Sequence, residues 1–161
     1  METTETPRGH FPVQLQVALF TFTRIVMNTG YRMLYLFLPF IAEGLQVSRQ
    51  SIEMIGTVRN GFGLIAPVLG STADRYGRRF GIMLGLLLWI GGMLVVTLFP
   101  TYPGLMIGMV MLAIGKFVYD PAVYAHIGDT VPYQQRGLTL AVVELGWSGA
   151  FFLGGPFVAW L

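Results

Sequence analysis

The stretch Gly70-Ser71-Thr72-Ala73-Asp74-Arg75-Tyr76-Gly77-Arg78-Arg79 gathers four charged side chains between two long apolar runs. Residues 51–70 before it and 80–99 after it each have about 20 residues, enough as helix to cross roughly 30 Å of hydrocarbon. A link this short between two spans is a hairpin at one membrane face. Its glycines suit sharp backbone bends, and its arginines suit the cytoplasmic side, where Lys and Arg are retained.

Composition agrees with that reading. Apolar residues fill 54% of the 161 positions and charged residues only 11%. A soluble domain of this size needs far less apolar surface, so the chain reads as an integral membrane protein in a lipid bilayer. The net charge of +2 matters less than its distribution. Basic residues sit at Arg8, at Arg75, Arg78 and Arg79, and at Arg136, at alternate ends of successive spans. No basic face is interleaved with exposed aromatics, which argues against a nucleic-acid partner. Cysteine is absent, removing disulfides, thiolate nucleophiles and Cys-based metal sites. His10 and His126 are far apart and read as hydrogen-bonded residues rather than ligands. No metal or other cofactor is expected.

Outward from the hairpin, residues 1–12 read as a polar cytoplasmic tail without the pattern of a signal peptide. Residues 13–161 read as an all-α transmembrane bundle with five spans near 13–41, 51–70, 80–99, 104–127 and 137–161. In the first span Arg24, Asn28, Tyr31 and Tyr35 fall on one helical stripe, with Arg32 on its flank. Ser48 is positioned as the N-cap of the second span. There Gly56, Asn60, Gly63, Pro67 and Gly70 form a narrow small-residue stripe that admits another helix backbone, and Pro67 is expected to bend the helix. The third span carries no charge and is lipid-like throughout. The fourth carries Lys116, Tyr119, Asp120 and Tyr124, with Lys116 and Asp120 four apart and able to pair. Residues 128–136 read as a polar loop, and the fifth span carries Glu144 and a glycine-rich second half. Counting Lys and Arg by side places the N-terminus in the cytoplasm.

Seven ionisable residues lie within these spans: Arg24, Arg32, Glu53, Arg59, Lys116, Asp120 and Glu144. Facing lipid, each would cost roughly 3 kcal/mol at the bilayer centre, about 20 kcal/mol in all. They must turn toward one another or toward a water-filled cavity. One reading makes them structural ion pairs, Lys116 with Asp120 and Arg59 with Glu53 or Glu144. The other makes them a polar pathway, since a bundle built for stability gains little from desolvating seven charges. The first span offers Arg24 and Arg32 no acidic neighbour of their own. They therefore pair with Glu144 or Asp120, or face an anionic ligand beside Asn28, Tyr31 and Tyr35. Asp120 and Glu144 are candidate proton carriers, because burial raises and a nearby Arg lowers a carboxylate pKa.

Gly70-x-x-x-Asp74-Arg75-x-Gly77-Arg78-Arg79 resembles the signature motif of the major facilitator superfamily, found between that family's second and third transmembrane helices. The segment from Gly128 to Gly137 resembles the family's link between helices four and five. Gly154-Gly155-Pro156 resembles part of the Gly-Pro motif on the fifth helix of proton antiporters, with Phe151 and Ala159 where glycines are favoured. The resemblance implies a partial six-helix bundle, helices one to five of a transporter with two such halves. The chain is thus expected to be a fragment or truncated product whose partner is the missing C-terminal half. It further implies that helices one and four line the central cavity, and that the stripe from Gly56 to Gly70 faces the missing half. Asp74 is implied as a gating group, and Asp129 as a partner for Arg78 or Arg79.

The function expected is secondary active transport of a small solute by alternating access in the inner or plasma membrane. Proton coupling is expected, with an organic anion or efflux of amphipathic compounds as the solute class. A non-transporting half-transporter, acting as a membrane scaffold or solute sensor, is the alternative. Enzymatic activity is not expected, since no nucleophile-and-base set, metal cluster or phosphate loop is visible.

Overall fold

The computed structural model describes residues 12–154, apart from the side chains at 33–36, 72 and 153–154. Most of the N-terminal tail, Gly155, Pro156 and the side chain of Tyr35 therefore lie outside the described residues. The described chain is built from seven α-helices: α1 (Val13–Leu45), α2 (Arg49–Gly61), α3 (Ala66–Gly70), α4 (Thr72–Tyr76), α5 (Arg78–Leu98), α6 (Tyr102–Thr130) and α7 (Tyr133–Gly149). A 3-10 turn, Phe62–Ile65, joins α2 to α3, and a π-helical segment, Ala150–Gly154, follows α7.

By length and apolarity, α5 and α6 can each cross a membrane, and α1 is a third if its two arms form one span. Those arms, Val13–Arg32 and Phe37–Leu45, are bent by 50°. Pro39 accounts for the bend: it lacks an N–H, and its ring crowds the preceding turn. The polar α2 and the 17-residue α7 fall short of that criterion as single helices.

Several boundaries differ from the sequence expectation, each for a local reason. Pro67 does not bend a continuous helix. It starts α3, and the turn before it tightens to 3-10, dividing the second run in two. The hairpin contains one helical turn, α4, rather than only a bend. Residues 128–136 are not a loop: α6 continues to Thr130 and α7 begins at Tyr133. The short link is closed by Arg136, whose Nε donates to the Val131 carbonyl at 2.9 Å. Ser48 caps α2 as expected, accepting from the Ser51 N–H at 3.2 Å. Thr101 does the same for Gly104 at 3.3 Å.

Helices α5 and α6 pack antiparallel along glycines. A Cβ on Gly85 would lie 2.7 Å from Tyr119 Cβ and 2.8 Å from the Gly115 carbonyl oxygen. One on Gly92 would lie 2.8 Å from the Gly108 carbonyl oxygen. The stripe on α2 and α3 also has partners within the chain. Gly70 lies against the ring of Pro121, 3.2 Å from a Cβ to Pro121 Cγ, and Gly63 faces Phe117, while Asn60 and Pro67 are exposed.

Helix α1 packs against both α6 and α7. It runs antiparallel to α6, with Gln16 bonded to His126 at 2.9 Å and Asn28 to Lys116 at 3.0 Å. It runs parallel to α7, where Gly146 admits the α1 backbone: a Cβ there would be 3.0 Å from the Thr21 carbonyl oxygen. This close approach places Arg24 beside Glu144.

Candidate functional site

Arg24 projects from α1 between α6 and α7 and is 3% exposed. Its Nη1 donates to Glu144 at 2.8 Å and to the Tyr124 hydroxyl at 2.7 Å, while its Nε lies 3.7 Å from Asp120. Tyr124 in turn donates to Glu144. Lys116 donates to Asp120 at 2.9 Å and to the Asn28 carbonyl oxygen of the side chain at 3.0 Å. The result is one array across three helices: Asn28, Lys116, Asp120, Arg24, Glu144 and Tyr124. Two cations face two carboxylates, so the array is neutral when all four are ionised.

Of the ion pairs expected from sequence, Lys116 with Asp120 is present, as their i,i+4 spacing allows. Glu144 is taken by Arg24 and Tyr124, while Arg59 stacks over the ring of Tyr31 at 4.2 Å and donates to Asn60 at 3.1 Å. The Asn28 amide is 2% exposed, and its Nδ2 has no partner among the described residues. Buried donors of this kind are costly unless something meets them. Tyr119, expected to line a cavity, is packed in the core against Gly85.

Arg32 sits apart from the array. It follows Arg24 by eight residues, about 12 Å of helix rise. Its guanidinium carbon stands 4.0 Å from the centroid of Trp147 and 3.8 Å from that of Phe151. The two rings meet edge to face at 5.6 Å, forming a corner that the guanidinium occupies. Attraction to the ring quadrupoles favours this position.

The hairpin forms a second cluster. Arg78 bonds to Asp74 one turn earlier and donates from Nε to Asp129 at 2.9 Å, tying the start of α5 to the end of α6. The Asp129 partner is thus Arg78; Arg75 and Arg79 are exposed. Gly77 has φ +96° and ψ 149°, a region essentially reserved for glycine.

Sequence reasoning passed over Tyr124, Trp147 and Phe151 as site residues. A usable signal existed for each: Lys116, Asp120 and Tyr124 repeat at four, and Trp147 and Phe151 are also four apart near Glu144.

Comparison with known proteins adds a family match. The family model of the Major Facilitator Superfamily matches residues 20–161. The chain is 31% identical over 155 residues to the uncharacterized MFS-type transporter YwfA of Bacillus subtilis (strain 168), covering 92% of this chain and 36% of that protein. It is 28% identical over 119 residues to the probable polyol transporter 3 of Arabidopsis thaliana, covering 71% of this chain and 23% of the relative. It is 35% identical over 86 residues to the D-xylose-proton symporter-like 2 protein of the same plant, covering 51% and 17%. The chain thus spans about a third of the Bacillus relative's length and less of the plant ones. No solved structure matches it.

Proposed function

The chain belongs to the major facilitator superfamily, and we propose that it forms the N-terminal part of a proton-coupled secondary transporter for a small organic anion. In this reading the chain makes five traverses of a cell membrane with its N-terminus in the cytoplasm, and alternating access involves a second half. The array on Arg24 is the observation that carries the proposal. Two carboxylates, Asp120 and Glu144, approach one buried guanidinium from different helices. Protonating either leaves the array with one net positive charge around the buried Arg24. An anion then neutralises it, so proton and anion each favour the binding of the other. At an effective dielectric constant near 20, a unit charge about 12 Å away contributes about 1.4 kcal/mol, or about tenfold in affinity. An anion at the height of Arg32 is thus within range of this coupling.

Asp74, Arg78 and Asp129 form the gating cluster in this scheme. Opening the cytoplasmic side requires α5 to shift against α4 and α6, and the Arg78 bridges to Asp74 and Asp129 resist that movement until another contact replaces them. Efflux of amphipathic compounds is the less favoured solute class, since the Gly-Pro motif that suggests it is incomplete in this sequence. A neutral polyol is a second reading. The free Nδ2 of Asn28 suits a hydroxyl acceptor, and two of the relatives are named for polyol or xylose transport.

The test is uptake into proteoliposomes containing the intact gene product, under an imposed proton gradient. Benzoate uptake should accelerate with the gradient, and Glu144→Gln or Asp120→Asn should remove most of that acceleration. If both variants keep full coupling, the proton assignment fails. Uptake of mannitol without benzoate would replace the anion reading with the polyol one.

A further inference from the structure

We propose that Arg32, Trp147 and Phe151 form a subsite that selects aromatic carboxylates over aliphatic ones, an inference that rests on the anion reading above. Three independent features converge on it. The first is charge. Arg24 and Lys116 are matched by Asp120 and Glu144, whereas Arg32 makes no hydrogen bond or ion pair with another described residue. Arg32 is thus a cation whose charge the array leaves unmatched.

The second feature is how Arg32 is held. Its guanidinium carbon lies 4.0 Å from the Trp147 centroid and 3.8 Å from the Phe151 centroid, and with the centroids 5.6 Å apart the two directions are nearly perpendicular, so one ring at most covers a face of the planar group. Two rings at a right angle do not surround the planar group, and no described residue hydrogen-bonds to it, so an N–H fork remains for a carboxylate, which it matches through two oxygens at once. The rings also restrict the side chain, so the fork is oriented before a ligand arrives.

The third feature is the wall beside the fork. Trp147 is 50% exposed and Phe151 is 55% exposed, so each ring keeps free surface next to the cation it holds. A ligand whose carboxylate bonds to the fork can lay a flat ring against that surface, gaining offset or edge-to-face contacts that a puckered ring cannot make. The π-helical segment Ala150–Gly154 carries Phe151, so an irregular turn sets this wall. Parallel packing of α1 and α7 keeps the subsite in line with the Arg24–Glu144 pair.

Binding to the intact gene product in nanodiscs, measured calorimetrically with benzoate and cyclohexanecarboxylate, tests the idea. The two probes share charge and ring size, so their ratio isolates the aromatic term. Benzoate should bind about fivefold more tightly, in keeping with an aromatic contact of ordinary strength. Trp147→Leu and Phe151→Leu should each reduce the preference toward unity while changing cyclohexanecarboxylate little. Arg32→Lys, which keeps the charge but loses the fork, should weaken both probes by about tenfold. Equal binding of the two probes, with a ratio insensitive to Trp147→Leu and Phe151→Leu, would overturn the subsite and leave the anion reading intact. Binding of neither carboxylate would overturn both.

Discussion

Two glycines in the hairpin region are required for opposite reasons, and substitution separates them. Gly77 has open space around its Cα, with nothing within 4 Å of where a Cβ would stand, but its φ of +96° strains any L-residue. Gly81 has an ordinary helical backbone, yet a Cβ there would meet Ala73 Cβ at 2.8 Å and Ala122 Cβ at 3.0 Å. Gly77→Ala is therefore expected to cost about 1–3 kcal/mol through backbone strain alone. Thermal unfolding of the purified protein in detergent reads that cost. The companion substitution Ala73→Gly, which makes room beside position 81, should partly rescue Gly81→Ala and leave Gly77→Ala unimproved. Rescue of both would mean that space, not φ, limits position 77. Sequence reasoning reached the bend at Gly77 because a hairpin this short needs one. It did not reach Gly81, because one neighbour that excludes a side chain there, Ala122, comes from α6, about 40 residues further along the chain.

At the scale of elements, sequence located the apolar runs well and their ends less well. Hydropathy averages over many residues, so α5 emerges within two residues of its expected start. The ends depend on single hydrogen bonds, such as the Arg136 clasp on Val131, which allows α7 to begin sooner than the polar composition suggests. The break at Phe62–Ile65 follows from Pro67, where the sequence reading expected a bend rather than a division into two helices. The packing partner of α5 was hidden for a different reason. Glycines at 81, 85 and 92 raise no polar signal, and their spacing is informative only once α6 is opposite. That interface yields a further prediction. A Cβ on Gly85 meets backbone and Cβ atoms of α6 that cannot turn aside, whereas one on Gly91 meets only the flexible end of Met111, at 3.1 Å. Gly85→Ala should lower stability by about 1–3 kcal/mol, as overpacking does, and Gly91→Ala should change it little. Chemical denaturation in mixed micelles makes the comparison, and equal effects at the two positions would argue against a tight α5–α6 seam.

At the scale of the whole molecule, the array on Arg24 joins helices that are far apart in sequence. Spacing along one helix made the Lys116–Asp120 pair legible. Nothing local indicated whether Glu144 would choose Arg24, Arg32 or Arg59, because that choice depends on how α7 rotates against α1. Gly146 settles it by letting the two backbones approach at Arg24. The pairing can be measured through its energetics. Arg24→Gln leaves Asp120 and Glu144 with only Lys116, and Glu144→Gln leaves Arg24 and Lys116 sharing Asp120, so each single change unbalances the array by one charge. The double substitution restores neutrality. A double-mutant cycle on unfolding free energy should therefore show the pair less destabilised than the sum of its singles, with a coupling of about 1–2 kcal/mol, the upper range for polar pairs within membrane bundles. The Glu144 side chain is 48% exposed, which argues against a larger value. Repeating the cycle with Arg32→Gln in place of Arg24→Gln should give coupling near zero, because Arg32 rests on Trp147 and Phe151 rather than on Glu144. If Arg32 instead couples to Glu144 as strongly as Arg24 does, the two arginines share one carboxylate. The separation of proton array from anion subsite then collapses into a single site.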